Sequence, residues 1–368
     1  MLERVVAFFN FRDKVRKSLI LFERRSYVKE ELPESNLIDC SLGQNPFGFP
    51  KELLKEIDLG AIGIGGYPDP YHLRLRKALV ERWGGLFKED DVFIGAGSMG
   101  CLEKINKALM REGVTVLGYL PQFTEYISEV EALGGVYDSI MLDESDGFRF
   151  NSEKLLSKLS KEHILVYIDN PNNPTGQVIP IDEIRLIVER AMRLDVVVIV
   201  DEAYGDFMDD ENSALTLNYP NLIVIRSFSK GFGLAGLRVG YAVIKGEEVK
   251  EFYRKVNLPF EVSSISEEIA IKALKYKSFV EESRVLIRKI KEEMIASLQR
   301  KGFCLSYTHL DVPIFLLWQK GINLYDYFRE RGILCVKGCD FLGLDSSFVR
   351  VRVPPQIESF LERVGFGF

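Results

Sequence analysis

Val114–Leu117, Ile164–Ile168, Val196–Val200 and Leu222–Ile225 are short, almost unbroken apolar runs rich in β-branched residues. A run of this length with no polar face is buried on both sides, as in a parallel or mixed sheet covered by helices. Between two of the runs, Asp182–Arg193 reads as an amphipathic helix with an Asp at its N-cap. The alternation predicts an α/β fold with a mostly parallel sheet between helices. After about residue 255 the texture changes. Phe279–Arg300 is one long helical pattern, with Val280, Val285, Ile287, Ile290, Met294 and Leu298 as its apolar positions and Gly302 as its stop. Short strands are predicted at Phe303–Tyr307, Pro313–Trp318 and Phe348–Val353. The reading is therefore an N-terminal arm over 1–36, a large domain over 37–255, and a small α+β domain over 256–368 that packs with the arm.

Composition narrows the function. Hydrophobic residues at 46% and charged residues at 28% exclude general disorder. Lys and Arg number 48 against 54 Asp and Glu, a net charge of −6, which argues against a nucleic-acid partner. No apolar run reaches the length of a membrane span. Val5–Phe9 is apolar, but Glu3 and Arg4 precede it and no small-residue cleavage site follows, so it reads as an arm or helix and not a signal peptide. The five cysteines contain no C-x-x-C pair and fit reduced cytosolic thiols, so a cytoplasmic location is expected. The three histidines, His72, His163 and His309, are far apart, so no metal centre or Ser-His-Asp triad is expected.

Gly95-Ala96-Gly97-Ser98-Met99-Gly100 follows the apolar run Val92-Phe93-Ile94 and precedes a helical pattern at Leu102–Met110. Such a loop offers backbone N–H groups and the positive end of a helix to a phosphate. A dinucleotide site would also need an acid at the end of the next strand. Val116-Leu117-Gly118-Tyr119-Leu120-Pro121 has none, so a nicotinamide-dependent dehydrogenase is the weaker alternative. Three polar clusters follow three predicted strands directly. They are Asp169-Asn170-Pro171-Asn172-Asn173-Pro174-Thr175-Gly176, Asp201-Glu202-Ala203-Tyr204, and Ser227-Phe228-Ser229-Lys230. Gly236-Leu237-Arg238 comes next. Open α/β sheets bind their ligands at such strand ends.

In these motifs, and in the eight-residue step from Lys230 to Arg238, the chain resembles the fold-type I pyridoxal-phosphate aminotransferases of class I and II. Within them it is most similar to the histidinol-phosphate aminotransferase branch. The resemblance runs from about Asn45 to Arg350 and implies a pyridoxal 5′-phosphate enzyme. It implies that Lys230 carries the cofactor and moves the substrate's proton. Asp201 would bond the pyridine nitrogen and keep it protonated. Asn173 and Tyr204 would bond the ring's phenolic oxygen. Arg238, Ser227, Ser229 and Ser98, with the Gly97–Met99 backbone, would hold the phosphate. Phe123 would stack on the ring. Tyr67, in Gly66-Tyr67-Pro68-Asp69-Pro70, would reach the phosphate of a neighbouring subunit, which implies a homodimer with shared sites. Asn45 would lie on the substrate side. Arg350 would grip a carboxylate, with Arg352 on the same strand face as the alternative.

The match departs from the family at the substrate end. Leu42-Gly43-Gln44-Asn45-Pro46 replaces the usual N-E-N-P, Glu261 stands where an Asn is common, and Pro354-Pro355 replaces a small turn. Val336 or Lys337 stands at the place of the arginine that holds a substrate phosphate. The implied reaction is amino transfer between an amino acid or phosphorylated amino alcohol, histidinol phosphate by default, and 2-oxoglutarate. The missing arginine predicts weak discrimination against free amino acids. A decarboxylase of the threonine-phosphate type is the alternative on the same scaffold.

Overall fold

The computed structural model describes residues 12–27 and 37–365. The apolar stretch Val5–Phe9 and part of the proposed arm lie outside the described residues. The large sheet has seven strands: β1 (Val92–Gly95), β2 (Thr115–Leu120), β3 (Val136–Met141), β4 (His163–Asp169), β5 (Val197–Glu202), β6 (Leu222–Ser227) and β7 (Gly240–Ile244). Their spatial order is β1-β7-β6-β5-β4-β2-β3. β7 is antiparallel to both its neighbours, and every other pairing is parallel. All four runs singled out in the sequence fall on these strands, with Val114 and Val196 one residue ahead of theirs.

The unbroken apolar pattern has a direct cause. Side chains alternate across a strand, and here both faces are covered. On β5, Val198 and Val200 enter a core shared with Ile184, Ile187 and Val188 of the Ile181–Met192 helix. Ile199 points the other way, into a core with Leu102 and Ile105 of helix α1 (Gly97–Leu109) and Tyr126 and Val130 of helix α2 (Thr124–Ala132).

A second sheet has four antiparallel strands in the order β10-β11-β9-β8: β8 (Cys304–Leu305), β9 (Ile314–Trp318), β10 (Val336–Lys337) and β11 (Phe348–Arg352). Helix α3 (Lys277–Arg300) packs on it through Ile287, Met294 and Leu298. A short parallel pair, Ile38–Asp39 with Ile333–Leu334, joins the chain's early part to this sheet.

Three local expectations are corrected. Asp182 is not the N-cap of its helix. Pro180 holds that place, and Asp182 lies inside the first turn, paired with Arg185 at 2.5 Å. Val285 is exposed, because it lies two residues before buried Ile287 and so about 200° away around α3. The strand expected at Phe303–Tyr307 forms only at Cys304–Leu305. Gly302 does end the long helix, at φ +83°. Among the described residues, no helix is long and apolar enough to cross a membrane.

Candidate active site

The parallel strands leave their C-terminal ends on one edge of the large sheet, and the polar segments collect there. β1 delivers Gly95, β4 Asp169, β5 Asp201 and Glu202, and β6 Ser227, while antiparallel β7 starts at the same edge with Gly240. A cavity of about 280 Å³ opens at this edge. Four of the clusters read from the sequence meet in its wall. The first turn of α1 brings Ser98 and Met99, the N-P-rich turn brings Asn173, β5 and the turn after it bring Asp201 and Tyr204, and the end of β6 with its following loop brings Ser227, Ser229 and Lys230. Phe123 and Arg238 complete that set.

Lys230 sits in a tight loop. The Ser229 N–H donates to Ser227 Oγ at 3.1 Å, and the Gly233 N–H donates to the Lys230 carbonyl at 3.1 Å. The Lys230 ammonium lies 5.0 Å from the centre of the Tyr204 ring, and among the described residues no hydrogen bond holds it. Loss of water around it lowers its pKa, and the nearby Arg350 and Arg238 charges lower it further against the opposing pull of Tyr27 and Asp201. The neutral amine is therefore more accessible than on a solvated lysine.

Asp201 is buried. Tyr167 donates its hydroxyl to Oδ2 at 3.0 Å, and the Ala203 N–H donates to Oδ1 at 3.0 Å. Burial pushes the carboxyl up to about 7. A buried carboxylate without an ion pair favours a ligand that brings a proton or positive charge.

Arg238 lies with φ +54° and spends part of its fork on local carbonyls. Nη1 donates to Ala235 O at 3.0 Å, and Nη2 donates to Ala96 O at 3.3 Å. Two glycines let the parts close up. A Cβ on Gly97, whose φ is +74°, would lie 2.6 Å from Arg238 Nη2. A Cβ on Gly240 would strike the Gly97 and Ser98 backbone. The guanidinium and the first turn of a 13-residue helix thus face the same corner, a donor set suited to a phosphate. Primary amine, unpaired carboxylate, anion corner and aromatic wall together fit a phosphorylated pyridine aldehyde.

Other expected residues fall elsewhere. Asn45 does not line the cavity: its Nδ2 donates to Gly231 O at 2.8 Å and Ser283 Oγ at 2.9 Å, which ties its turn to the residue after Lys230. Leu42, Gly43 and Gln44 line the wall there. Arg350 is fully buried; Nη1 donates to Asn173 Oδ1 at 2.7 Å and Nη2 to Ser41 O at 2.6 Å. Arg352 is turned to the Asp39 and Val353 carbonyls, so of the two Arg350 lies beside the cavity wall. Tyr67 is 85% exposed, with its ring centre 4.9 Å from that of Phe260, and does not line its own chain's cavity. Glu261 pairs with Lys104 of α1, its Oε1 3.0 Å from where a Cβ on Gly100 would be. The Lys337 ammonium lies over the Tyr325 ring at 4.6 Å and is not in the cavity wall.

Among the ionisable wall residues, sequence reasoning missed Tyr27, Asp169 and Glu125, the last paired with Arg24 at 3.2 Å. Tyr27 comes from the charged N-terminal segment and packs beside Arg350, whose guanidinium lies 4.6 Å from its ring centre. Its ring also lies 5.9 Å from that of Phe341. Nothing around it in the sequence marks it. Asp169 was in view as the residue before the N-P turn, and its place directly after a buried strand was the available signal.

A model of the family described as aminotransferase class I and II matches residues 35–364. The chain is 32% identical over 325 residues to histidinol-phosphate aminotransferase 2 of Archaeoglobus fulgidus, covering 88% of this chain and 90% of that one. It is 30% identical over 327 residues to a putative threonine-phosphate decarboxylase of Caldanaerobacter subterraneus subsp. tengcongensis, covering 84% of each. The crystal structure of the histidinol-phosphate aminotransferase from Clostridium acetobutylicum matches with a TM-score of 0.80 at 28% identity, covering 89% of this chain and 98% of that one.

Proposed function

The chain belongs to the class I and II aminotransferases, and from that membership we propose how its residues share the work and what it acts on. The cofactor of this pyridoxal-dependent transaminase is pyridoxal 5′-phosphate. When bound, it supplies an electron sink for the pair left when a bond at the substrate Cα breaks. The Lys230 amine holds the cofactor and moves a proton at the substrate Cα. Asp201 faces the ring nitrogen. Asn173 and Tyr204 bond the ring oxygen, and Phe123 covers the ring. Arg238, Ser98, Ser227 and Ser229 with the Gly97–Met99 backbone hold the phosphate, and Arg350 holds a substrate carboxylate. The observation that carries this reading is a lysine ammonium with no hydrogen-bond partner among the described residues, in one cavity with an unpaired buried carboxylate.

The proposed reaction is amino transfer from histidinol phosphate or a free amino acid, with 2-oxoglutarate as acceptor. The names of the relatives support the first substrate. Lys337 turned away to Tyr325 supports loose selection of the phosphate. A decarboxylase is the second reading, favoured by the match to a protein of that name. The proposal also includes a cytoplasmic homodimer and domains over 37–255 and 256–368, a division supported by the seven-stranded sheet lying within the first and the four-stranded sheet within the second.

Borohydride reduction of the holoenzyme followed by peptide mapping tests the centre of the proposal. The cofactor label is expected on Lys230, and label on another lysine rejects it. Lys230→Ala should lower turnover by at least about a thousandfold, since a methyl group neither holds the cofactor nor moves a proton.

A further inference from the structure

Asp169 ends β4 directly beside Asp201 on β5, as its register partner. It is buried and also lines the cavity. Tyr119 donates its hydroxyl to Oδ1 at 2.8 Å, Gln122 donates Nε2–H to Oδ1 at 2.9 Å, and the Asn173 N–H donates to Oδ2 at 2.9 Å. Asn172 Nδ2 lies 3.1 and 3.2 Å from the two oxygens.

The direction of these bonds is fixed from outside. Gln122 Oε1 accepts the Tyr119 N–H at 3.1 Å, so its amide nitrogen must face Asp169. Asn172 Oδ1 accepts the Thr175 N–H at 3.1 Å, so its amide nitrogen must face Asp169 too. Burial raises the Asp169 carboxyl, and these donors, the Asn173 N–H first among them, oppose the rise by favouring the anion. Among the described residues it has no ion pair, and neither has Asp201. The same four partners hold the residues on both sides of the ring. Gln122 precedes Phe123, and the Asn173 N–H is itself one of the donors.

We infer that Asp169 is a positioning residue of the cofactor site: a second buried carboxylate that, together with Asp201, makes this end of the cavity select a ring whose nitrogen carries a proton. The inference rests on the placement of Asp201 at the ring nitrogen proposed above. Apart from Lys230, the remaining groups that face the pair do not cancel its charge. Burial raises the Tyr119, Tyr137 and Tyr167 hydroxyls, Tyr126 on α2 and Cys101 on α1, so all are neutral in the working range. Tyr204 is raised by burial as well. Glu202 is engaged by Arg226 at 2.9 Å, and Lys230 is the cation that faces Asp201.

The test is a titration of apoenzyme with pyridoxal phosphate and with its 1-deaza analogue, in which a C–H replaces the ring nitrogen. The wild-type protein should prefer pyridoxal phosphate by at least about tenfold, the scale of one charge interaction in a partly screened interior. Absence of that preference overturns the inference without any variant. Asp169→Asn, and Asp169→Ser as a smaller neutral side chain, should each weaken pyridoxal phosphate about tenfold. Each should leave the deaza analogue within about twofold, because that ring has no protonated nitrogen for the lost charge to attract and the phosphate, common to both ligands, lies farther away. Equal loss for both ligands in the variants that fold, or no loss for either, overturns it. Asp201→Asn is the control. If it leaves the preference intact, the placement of Asp201 fails, and that failure is distinct from one at Asp169.

Discussion

At the scale of single residues, the site is built by burying charged groups without their usual partners. Asp201 carries this furthest, and the consequence depends on pH with a definite sign. Its carboxyl is raised from the ordinary 3.8 to about 7, so the folded apoenzyme binds the proton more tightly than the unfolded chain. That contribution is fully present below about pH 4 and is lost as pH rises toward 7. Asp201→Asn removes the titration. The amide oxygen can still accept the Ala203 N–H, and the Tyr167 hydroxyl can turn to accept from the amide nitrogen. The Asn apoenzyme should therefore gain on the wild type by a few kcal/mol between pH 4 and 8, at about 1.4 kcal/mol per tenfold change in proton affinity. Denaturant titrations of both apoproteins at several pH values measure it. A gap that is constant or shrinks with rising pH would falsify the account.

At the scale of elements, helix α3 shows what periodicity tells and what it conceals. Val280, Ile287, Met294 and Leu298 were legible as its buried face because they recur at helical spacing. Lys291 lies on the same face, four residues after Ile287, and is fully buried. A sequence reading sends a lysine to solvent, because its burial depends on acceptors that only the fold supplies. Those acceptors are Thr308 Oγ1 at 2.7 Å and the carbonyls of His309, Val312 and Ile314 at 2.8 to 2.9 Å. The His309 N–H then donates to Gly176 O at 2.9 Å, so this lysine fastens α3 and β9 to the turn that presents Asn173. Lys291→Met keeps the bulk but strands the acceptors. It should cost about 2–4 kcal/mol in denaturant unfolding. A loss under half a kcal/mol would show that water replaces the amine. The strand-end motifs were legible for the opposite reason. Asp201 follows an apolar run directly and Lys230 comes three residues after the end of β6, so the covalent chain places them at the sheet edge with little tertiary help. Tyr27 reaches the cavity only because the N-terminal segment crosses α2, where Arg24 pairs with Glu125 at 3.2 Å. No local pattern encodes that crossing.

At the scale of the whole molecule, the cavity is not closed by one chain's own Tyr67. That residue stands exposed against Phe260, and Leu59, Ile64, Tyr71 and Leu258, close to one or the other in the sequence, are exposed as well. Apolar side chains gathered at the surface mark a contact face. A twofold dimer would let each chain lend its Tyr67 to the other's phosphate corner. Complementation measures this directly. Lys230→Ala and Tyr67→Phe chains are each impaired as homodimers, one lacking the amine and the other the lent hydroxyl. In a mixed dimer, one site collects both lesions and the other has neither. Equal mixing with free exchange makes half the dimers mixed, so activity should return to about a quarter of the wild-type level. If Tyr67 served only its own chain, each site of a mixed dimer would keep a single lesion and activity would stay at the average of the two parents. Subunit exchange, followed by native mass spectrometry of differently tagged chains, separates that outcome from a failure to mix.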